Sequence, residues 1–321
     1  MPDSHGCRVG VSWGPESNLY SFPHGHPMNR NRTRLFEKTI ASISDDSAGG
    51  TVVVPPVRSK EGDLLLFHTE EYVNFVREAS ASGEGYLDFP DTPAFPGVYE
   101  ASLYAVGSTL SGLEQVSNGT LDHFFNPVGG LHHAARSRAS GFCVFNDAGI
   151  AIAKTLKDGL GRVAYVDIDA HHGDGVFYGF ESEPRLIFAD IHEDGRTLFP
   201  GTGAATETGL GKAVGTKLNI PLRAGSGDAE FINAFETVYD FVAKSRPEFI
   251  LLQCGADGLL GDPLTNLHYS SAAHAHATRR LHDLAHEVCG GRILAMGGGG
   301  YSAENVNSAW SAVIDNLSRA P

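Results

Sequence analysis

The stretch RVAYVDIDAHHGDG, from Arg162 to Gly175, joins a short apolar run to an abrupt cluster of carboxylates, imidazoles and glycines. A continuous apolar run this short suits a strand covered on both faces. The same pattern recurs downstream. FILLQ (Phe249–Gln253) runs into Cys254-Gly255-Ala256-Asp257, and ILAM (Ile293–Met296) runs into four glycines and Tyr301. Leu186–Ala189 is a further apolar run. Phe231, Ile232, Phe235, Val238 and Phe241 recur at helical spacing and predict a helix over Asp228–Ser245, with another over Ser270–Cys289. Alternating strands and helices predict an α/β fold, a parallel sheet sandwiched by helices. No linker, composition shift or internal repeat divides the chain, so residues 1–321 are expected to form a single domain. Pro90, Pro93 and Pro96 mark an irregular loop suited to a rim.

Composition narrows the function classes. Apolar residues make up 41% of the 321, enough to offset ordering entropy and exclude disorder as the main state. With 24 Lys and Arg against 38 Asp and Glu, the formal charge of −14 disfavours nucleic acid and anionic lipid and tolerates a cationic substrate. Four scattered cysteines form no CxxC pair and suit a reducing compartment. No basic, apolar leader and no long apolar window is present, so a cytoplasmic protein is expected.

Ligands of open α/β sheets collect beyond the carboxyl ends of the strands, where this sequence concentrates its chemistry. Alternation along an extended chain is expected to point Asp167, Asp169 and His171 to one side. Two such carboxylates repel in a dry site unless a cation or donors compensate, and a divalent metal held by Asp169, His171 and Asp257 would do so with an open coordination position. The plainer alternative is a set of capping or solvated turn carboxylates. His132-His133, behind Gly129-Gly130, can supply a base and an acid beside metal-bound water. Tyr301 can present its hydroxyl to a developing oxyanion. Other patterns fail: Gly201–Gly215 lacks the residues of a P-loop, the tetraglycine is no dinucleotide fingerprint, and Asp167–Gly175 lacks calcium-loop spacing. His274-Ala275-His276, Arg279-Arg280, and the i,i+4 pair His282 and His286 are expected on a helix surface.

Taken together, these residues resemble the zinc-dependent histone deacetylase superfamily of the arginase/deacetylase fold, above all its class I-like prokaryotic branch of acetoin-utilisation deacetylases. The matching segments are His26-Pro27-Met28 with Arg32, Gly129–Ala134, Ala139–Asp147, Tyr165–Val176, Phe199–Gly203, Gln253–Leu264 and Gly297–Tyr301, in family order across nearly the whole chain. The resemblance implies Zn²⁺, or Fe²⁺, at Asp169, His171 and Asp257. It implies a general acid/base pair in His132 and His133, with His133 activating water and Asp167 and Asp174 as their carboxylate partners. Tyr301 would polarise the substrate carbonyl. Phe142 and Phe199 would wall an acyl-lysine tunnel beside Gly141, with Leu264 at its rim. Arg32 matches the inner-channel arginine, and Asp91 the rim acid, with Asp88 nearby.

Two positions depart from the family pattern: Arg30 replaces a common proline, and Asp190 replaces a serine that contributes to a potassium site. K⁺ or Na⁺ is therefore expected near Asp167, Asp169, His171 and Asp190. The implied activity is a metal-dependent amidohydrolase removing acetyl or other short acyl groups from lysine side chains or related amines. Acetylpolyamine or small-acylamide deacetylation is the alternative, although Asp174 stands where the polyamine branch often has Asn and Leu264 supplies no gatekeeping acid. An arginase-like two-metal site is disfavoured by a His171–Asp174 spacing one residue too long. An inactive binding module on the same fold is the reading from another class.

Overall fold

The structure is a computed structural model that describes residues 6–43 and 50–321. In chain order its elements are β1 (Val9–Ser12), α1 (Arg34–Ala41), β2 (Thr51–Val54), α2 (Glu61–Leu64), α3 (Glu70–Ser82), β3 (Tyr86–Asp88), β4 (Thr92–Pro93), α4 (Val98–Ser117) and β5 (His123–Asn126). There follow α5 (Asp147–Lys157), β6 (Val163–Asp167), α6 (Asp174–Gly179), β7 (Leu186–Glu193), β8 (Lys217–Leu222), α7 (Asp228–Ser245), β9 (Phe249–Gln253), α8 (Ser271–Val288), β10 (Ile293–Met296) and α9 (Ala303–Leu317). Eight strands form one sheet in the order β2-β1-β5-β10-β9-β6-β7-β8. Every neighbouring pair in it is parallel. β3 and β4 form a separate antiparallel pair.

The unbroken apolar runs have the expected cause. Successive side chains of β9 alternate between two cores: Phe249 and Leu251 pack with α3, α4, α5 and α6, whereas Ile250 and Leu252 pack with α1, α7, α8 and α9. Burying each such side chain contributes roughly 1.5–3 kcal/mol. With both faces covered, the exposed chemistry collects at the strand ends.

Some boundaries differ from expectation. β7 continues past Ala189 through Asp190, Ile191, His192 and Glu193, all buried. These polar residues are tolerated because they are partnered: His192 Nδ1 lies 2.7 Å from Asp190 Oδ1, and Glu193 accepts from the Asn266 amide at 2.8 Å. β6 stops at Asp167 rather than Ile168. Helix α8 starts one residue later than expected because Ser270 caps it, its hydroxyl accepting from the Ala272 amide. His274 and His282 are buried, not on a helix surface, because α8 is covered by α9, α7 and the sheet. His274 Nε2 lies 2.8 Å from the Gly255 carbonyl. Arg279 is exposed as expected, whereas Arg280 pairs with Glu236 at 2.8 Å and lies over the Tyr239 ring.

A buried histidine joins the fold to the site. His68 Nε2 accepts the Asn146 amide at 2.9 Å, while its Nδ1 faces the Arg136 carbonyl. Asn146 in turn caps α5 and donates its side-chain amide to the carbonyls of His132 and Ala134. Burial pushes His68 down to about 4. Because the unfolded ring takes up a proton below its ordinary 6.5 and the folded ring does not until about 4, stability is lost as pH falls across that window. We expect His68→Asn to be less stable than wild type at pH 7 and to flatten the slope between about pH 4 and 6.5 by up to about 1.4 kcal/mol per pH unit, read from urea unfolding at several pH values. An unchanged slope would contradict the assignment.

Candidate active site

The ends of β6, β9 and β10 and the loop after β5 bring the sequence-expected residues together. Asp167 ends β6 in register with Gln253 and with Asp190. Asp167 is not one of the three residues whose donor atoms gather for a metal, although its carboxylate and that of Asp169 both lie against His132. The strand stops at Asp167, and the chain turns: Asp167 Oδ1 accepts the Asp169 amide at 3.1 Å, and Asp169 Oδ1 accepts the His171 amide at 3.0 Å. Short carboxylates bonding the amide two residues on are typical turn formers. Asp167 Oδ2 is thereby aimed at His132 Nδ1 (2.8 Å) and the Tyr165 hydroxyl (2.7 Å).

Asp169, His171 and Asp257 form the group expected to hold a metal. Their ligand atoms lie within 4.8 Å of one another, and His171 Nδ1 is 3.1 Å from both Asp169 Oδ1 and Asp257 Oδ2. All three residues are buried. Each carboxylate is also held from outside the group. Gln253 Nε2 and the Gly299 amide donate to Asp169 at 2.8 Å, and the Ala170 amide donates to Asp257 at 2.9 Å. Burial opposes charge on His171, but Asp169 and Asp257 override it and lift the ring to about 10. The pair demands a positive partner, and two carboxylates with one imidazole suit a borderline divalent cation such as Zn²⁺ or Fe²⁺. Glycine is obligatory around them: a Cβ at Gly255 would strike Asp169, and one at Gly299 would strike Asp257 and Asp169.

His132 and His133 stand beside this group, their Nε2 atoms 3.1 Å apart. Each Nδ1 faces its own carboxylate, Asp167 for His132 and Asp174 for His133, the latter at 2.7 Å. The two environments separate the rings. Burial disfavours charge on both, yet Asp167 and Asp169 push His132 up to about 10. Burial and the charge on His132 hold His133 below its ordinary value against the opposing pull of Asp174. One imidazolium and one neutral imidazole are what an acid/base pair requires.

Tyr301 follows the tetraglycine, its amide donating to Asp262 Oδ2 at 2.7 Å. Burial, then the charges of Asp257 and Asp169, raises its phenol well above the usual range, so it stays a donor. Arg32 is buried beneath that loop and donates to the carbonyls of Gly298, Gly299 and Gly300. It lines a small hollow that shares Met28, Leu131 and Gly298 with the cavity of the site.

The two aromatic residues flank the site from opposite partners. The Phe142 ring meets Tyr301 edge-on at 5.8 Å, and the Phe199 ring meets His133 at 5.1 Å. Phe142 has φ +67°, a conformation rare outside glycine. It is held there by the Tyr20 hydroxyl donating to its carbonyl and by Thr92 accepting its amide. Asp91 accepts from the Thr92 hydroxyl at 3.0 Å, so its carboxylate supports Phe142 indirectly, while Asp88 lies on the preceding strand β3. Gly141 has φ +52°, and a Cβ on it would strike His133. Phe199 and Leu264 are partly exposed, at 44% and 36%.

Several positioning residues gave no sequence signal of their own. Asp147 is buried and accepts the amides of Gly130 and Leu131, setting the segment that carries the histidine pair. Asp262 accepts the amides of Leu264 and Tyr301 together. Asp190 does not stand free beside Asp167: its oxygens face His192 Nδ1 and the Gly173 amide.

A family model for the histone deacetylase domain matches residues 26–317. The chain is 42% identical over 313 residues to the acetoin utilization protein AcuC of Bacillus subtilis (strain 168), covering 94% of this chain and 80% of that protein. It is 33% identical over 317 residues to histone deacetylase 3 of Oryza sativa subsp. japonica, covering 96% of this chain and 61% of that one, less than two thirds of its length. A crystal structure of an HDAC homologue from Aquifex aeolicus superposes with a TM-score of 0.85 at 31% identity, covering 97% of this chain and 84% of the other.

The obligatory glycines give a direct test of the site. Gly299→Ala is expected to weaken Zn²⁺ or Co²⁺ binding at Asp169, His171 and Asp257 by ~10–100-fold, as disturbed ligand support does elsewhere, with an unchanged far-ultraviolet spectrum. Calorimetric titration showing wild-type affinity would refute that geometry.

Proposed function

Because the chain belongs to the histone deacetylase family, we propose that it hydrolyses the amide of acetyl- or short-acyl-lysine side chains, or of related acylated amines, with residues 1–321 working as one catalytic domain. The observation that carries this reading is the convergence on one cavity of a carboxylate–imidazole donor set, a carboxylate-backed histidine pair and Tyr301. A divalent ion at Asp169, His171 and Asp257, Zn²⁺ or Fe²⁺, would supply Lewis acidity to the carbonyl and a lowered pKa to water.

The chain's own groups account for the remaining steps. His133, neutral and oriented by Asp174, takes a proton from the attacking water. The Tyr301 hydroxyl donates to the carbonyl oxygen as it becomes an oxyanion. As the C–N bond breaks, a protonated imidazole of the pair delivers a proton to the departing amine, releasing a carboxylic acid and a free amine. Phe142 and Phe199 serve as walls for the aliphatic stem of lysine, and Leu264 as the rim. Leu264 offers no charge to a second ammonium group, which supports acyl-lysine over acylpolyamine. The formal charge of −14 favours cationic substrates.

Among the described residues no helix is long and apolar enough to cross a membrane, and all four cysteines are unpaired. The unpaired cysteines suit a reducing compartment such as the cytoplasm. A K⁺ or Na⁺ near Asp167, Asp169, His171 and Asp190 belongs to the proposal. Asp190 faces His192 through one oxygen and the Gly173 amide through the other, and each oxygen keeps a second lone pair for such an ion. Replacing K⁺ with choline is expected to lower turnover, and indifference would overturn the monovalent ion.

Hydrolysis of a fluorogenic acetyl-lysine peptide and of acetylputrescine by the Zn²⁺-loaded enzyme tests the reading. The peptide is expected to turn over faster, and Tyr301→Phe to lower kcat by ~10²–10³ with little change in KM. Asp174→Asn is expected to lower kcat ~10–100-fold. It should also move the acid limb of kcat/KM to lower pH, because it removes a partner that raises His133. Preference for acetylputrescine would reassign the substrate, and no turnover of either would overturn the reading.

A further inference from the structure

At the amino-terminal edge of the sheet, opposite the strand ends that build the active site, four side chains from three distant parts of the chain meet. Cys7 precedes β1, His123 is the first residue of β5, and His282 and His286 sit one turn apart near the end of α8. Cys7 Sγ lies 3.6 Å from His282 Nε2 and 3.4 Å from His286 Nε2, and His286 Nε2 lies 3.4 Å from His123 Nε2. All four donor atoms fall within 4.8 Å of one another. Cys7, His123 and His282 are buried at 5%, 0% and 1% exposure, and His286 is half-buried.

We propose that Cys7, His123, His282 and His286 form a second, structural metal site for a borderline-soft divalent cation of the Zn²⁺ class. A tetrahedral ion with bonds of ~2.0–2.1 Å to nitrogen and ~2.3 Å to sulfur separates neighbouring nitrogens by roughly 3.3–3.4 Å and nitrogen from sulfur by roughly 3.5–3.6 Å. The nitrogen–nitrogen contact and one sulfur–nitrogen contact fall within that spacing, and the other sulfur–nitrogen contact, at 3.4 Å, is about 0.1 Å short of it. The three imidazoles use the same nitrogen, Nε2, which turns their Nδ1 atoms outward. His282 Nδ1 faces the Asp283 carboxylate at 3.5 Å, the kind of outer partner that orients a ligating imidazole. Histidines at i and i+4 on one helix face are a recurrent chelating pair.

One thiolate and three imidazoles select against Ca²⁺ and Mg²⁺ and suit Zn²⁺, and four protein ligands leave no position for substrate. The site would therefore act as a clamp. It joins the segment before β1 to β5 and α8, next to the place where the Cys7 amide donates to the Arg319 carbonyl and the two ends of the described chain meet. The proposal does not depend on the assigned reaction, since it shares no residue with the active site.

Sulfur distinguishes the two sites, because Asp169, His171 and Asp257 contain none. Metal-stripped full-length protein titrated with Co²⁺ is expected to bind two ions per chain and to develop a thiolate-to-cobalt charge-transfer band in the near ultraviolet. That band should persist in Asp257→Asn and vanish in Cys7→Ser, with binding falling to one ion in each. Cys7→Ser loaded with Zn²⁺ is expected to keep wild-type peptide turnover. If Cys7→Ser does not fold, His286→Gln, at the half-buried corner, serves instead and should weaken the band at least tenfold. In Asp257→Asn, added Zn²⁺ should raise Tm, and in Asp257→Asn carrying Cys7→Ser or His286→Gln it should not. One ion per chain without the band in wild type, or a band surviving both substitutions, would overturn the proposal.

Discussion

Four aspartates, Asp167, Asp169, Asp190 and Asp257, lie buried with at most 1% exposure at neighbouring strand ends. Burying so many carboxylates together is unfavourable unless each meets a positive charge or a set of donors. Most of the local architecture can be read as the answer to that constraint. His132, His171 and His192 supply imidazoles, Gln253 supplies a side-chain amide, and the turns after β6 and β10 aim backbone amides inward. The glycines follow from the same crowding, since a Cβ at Gly173, Gly255 or Gly299 would enter carboxylate space. Only the pair Asp169 and Asp257, with His171, retains the geometry for a divalent cation.

Support spreads outward from this centre in layers of named contacts. Asp147 holds the loop bearing His132 and His133, and Asn146 braces the same loop from the cap of α5. Arg32 fixes the tetraglycine from beneath, while Asp262 fixes Tyr301 and Leu264 from the side. Phe142 is kept in a strained backbone conformation by Tyr20 and Thr92. Rigid placement of this kind is what allows a tyrosine hydroxyl and an imidazole to act without reorganising during reaction.

Much of the fold was legible because two-sided burial writes itself as unbroken apolar runs, as in β6, β9 and β10. The cluster of Asp169, His171 and Asp257, proposed as metal donors, was legible because its members follow closely on those runs. What failed did so for physical reasons. Asp167 holds His132 and the turn amide rather than joining the metal-donor group, a division of labour that alternation alone does not encode. β7 ran on through Asp190 and His192 because they partner each other and, beyond the local pattern, the Gly173 amide and the Gly203 carbonyl. His282 and His286 read as helix surface because Cys7 and His123, which meet them, lie 275 and 163 residues away from the contacts they make. Asp262 and Asp147 act through backbone amides, which no side-chain motif reveals.

The central claim is that charge compensation at Asp169, His171 and Asp257 by a divalent ion turns this carboxylate cluster into a hydrolytic site. Stripping the protein of metal and following acetyl-lysine peptide hydrolysis as Zn²⁺ or Fe²⁺ is returned tests it most directly. The account predicts negligible turnover in the stripped protein, restored in saturable fashion as the ion is added. Turnover that persists undiminished without metal would contradict it.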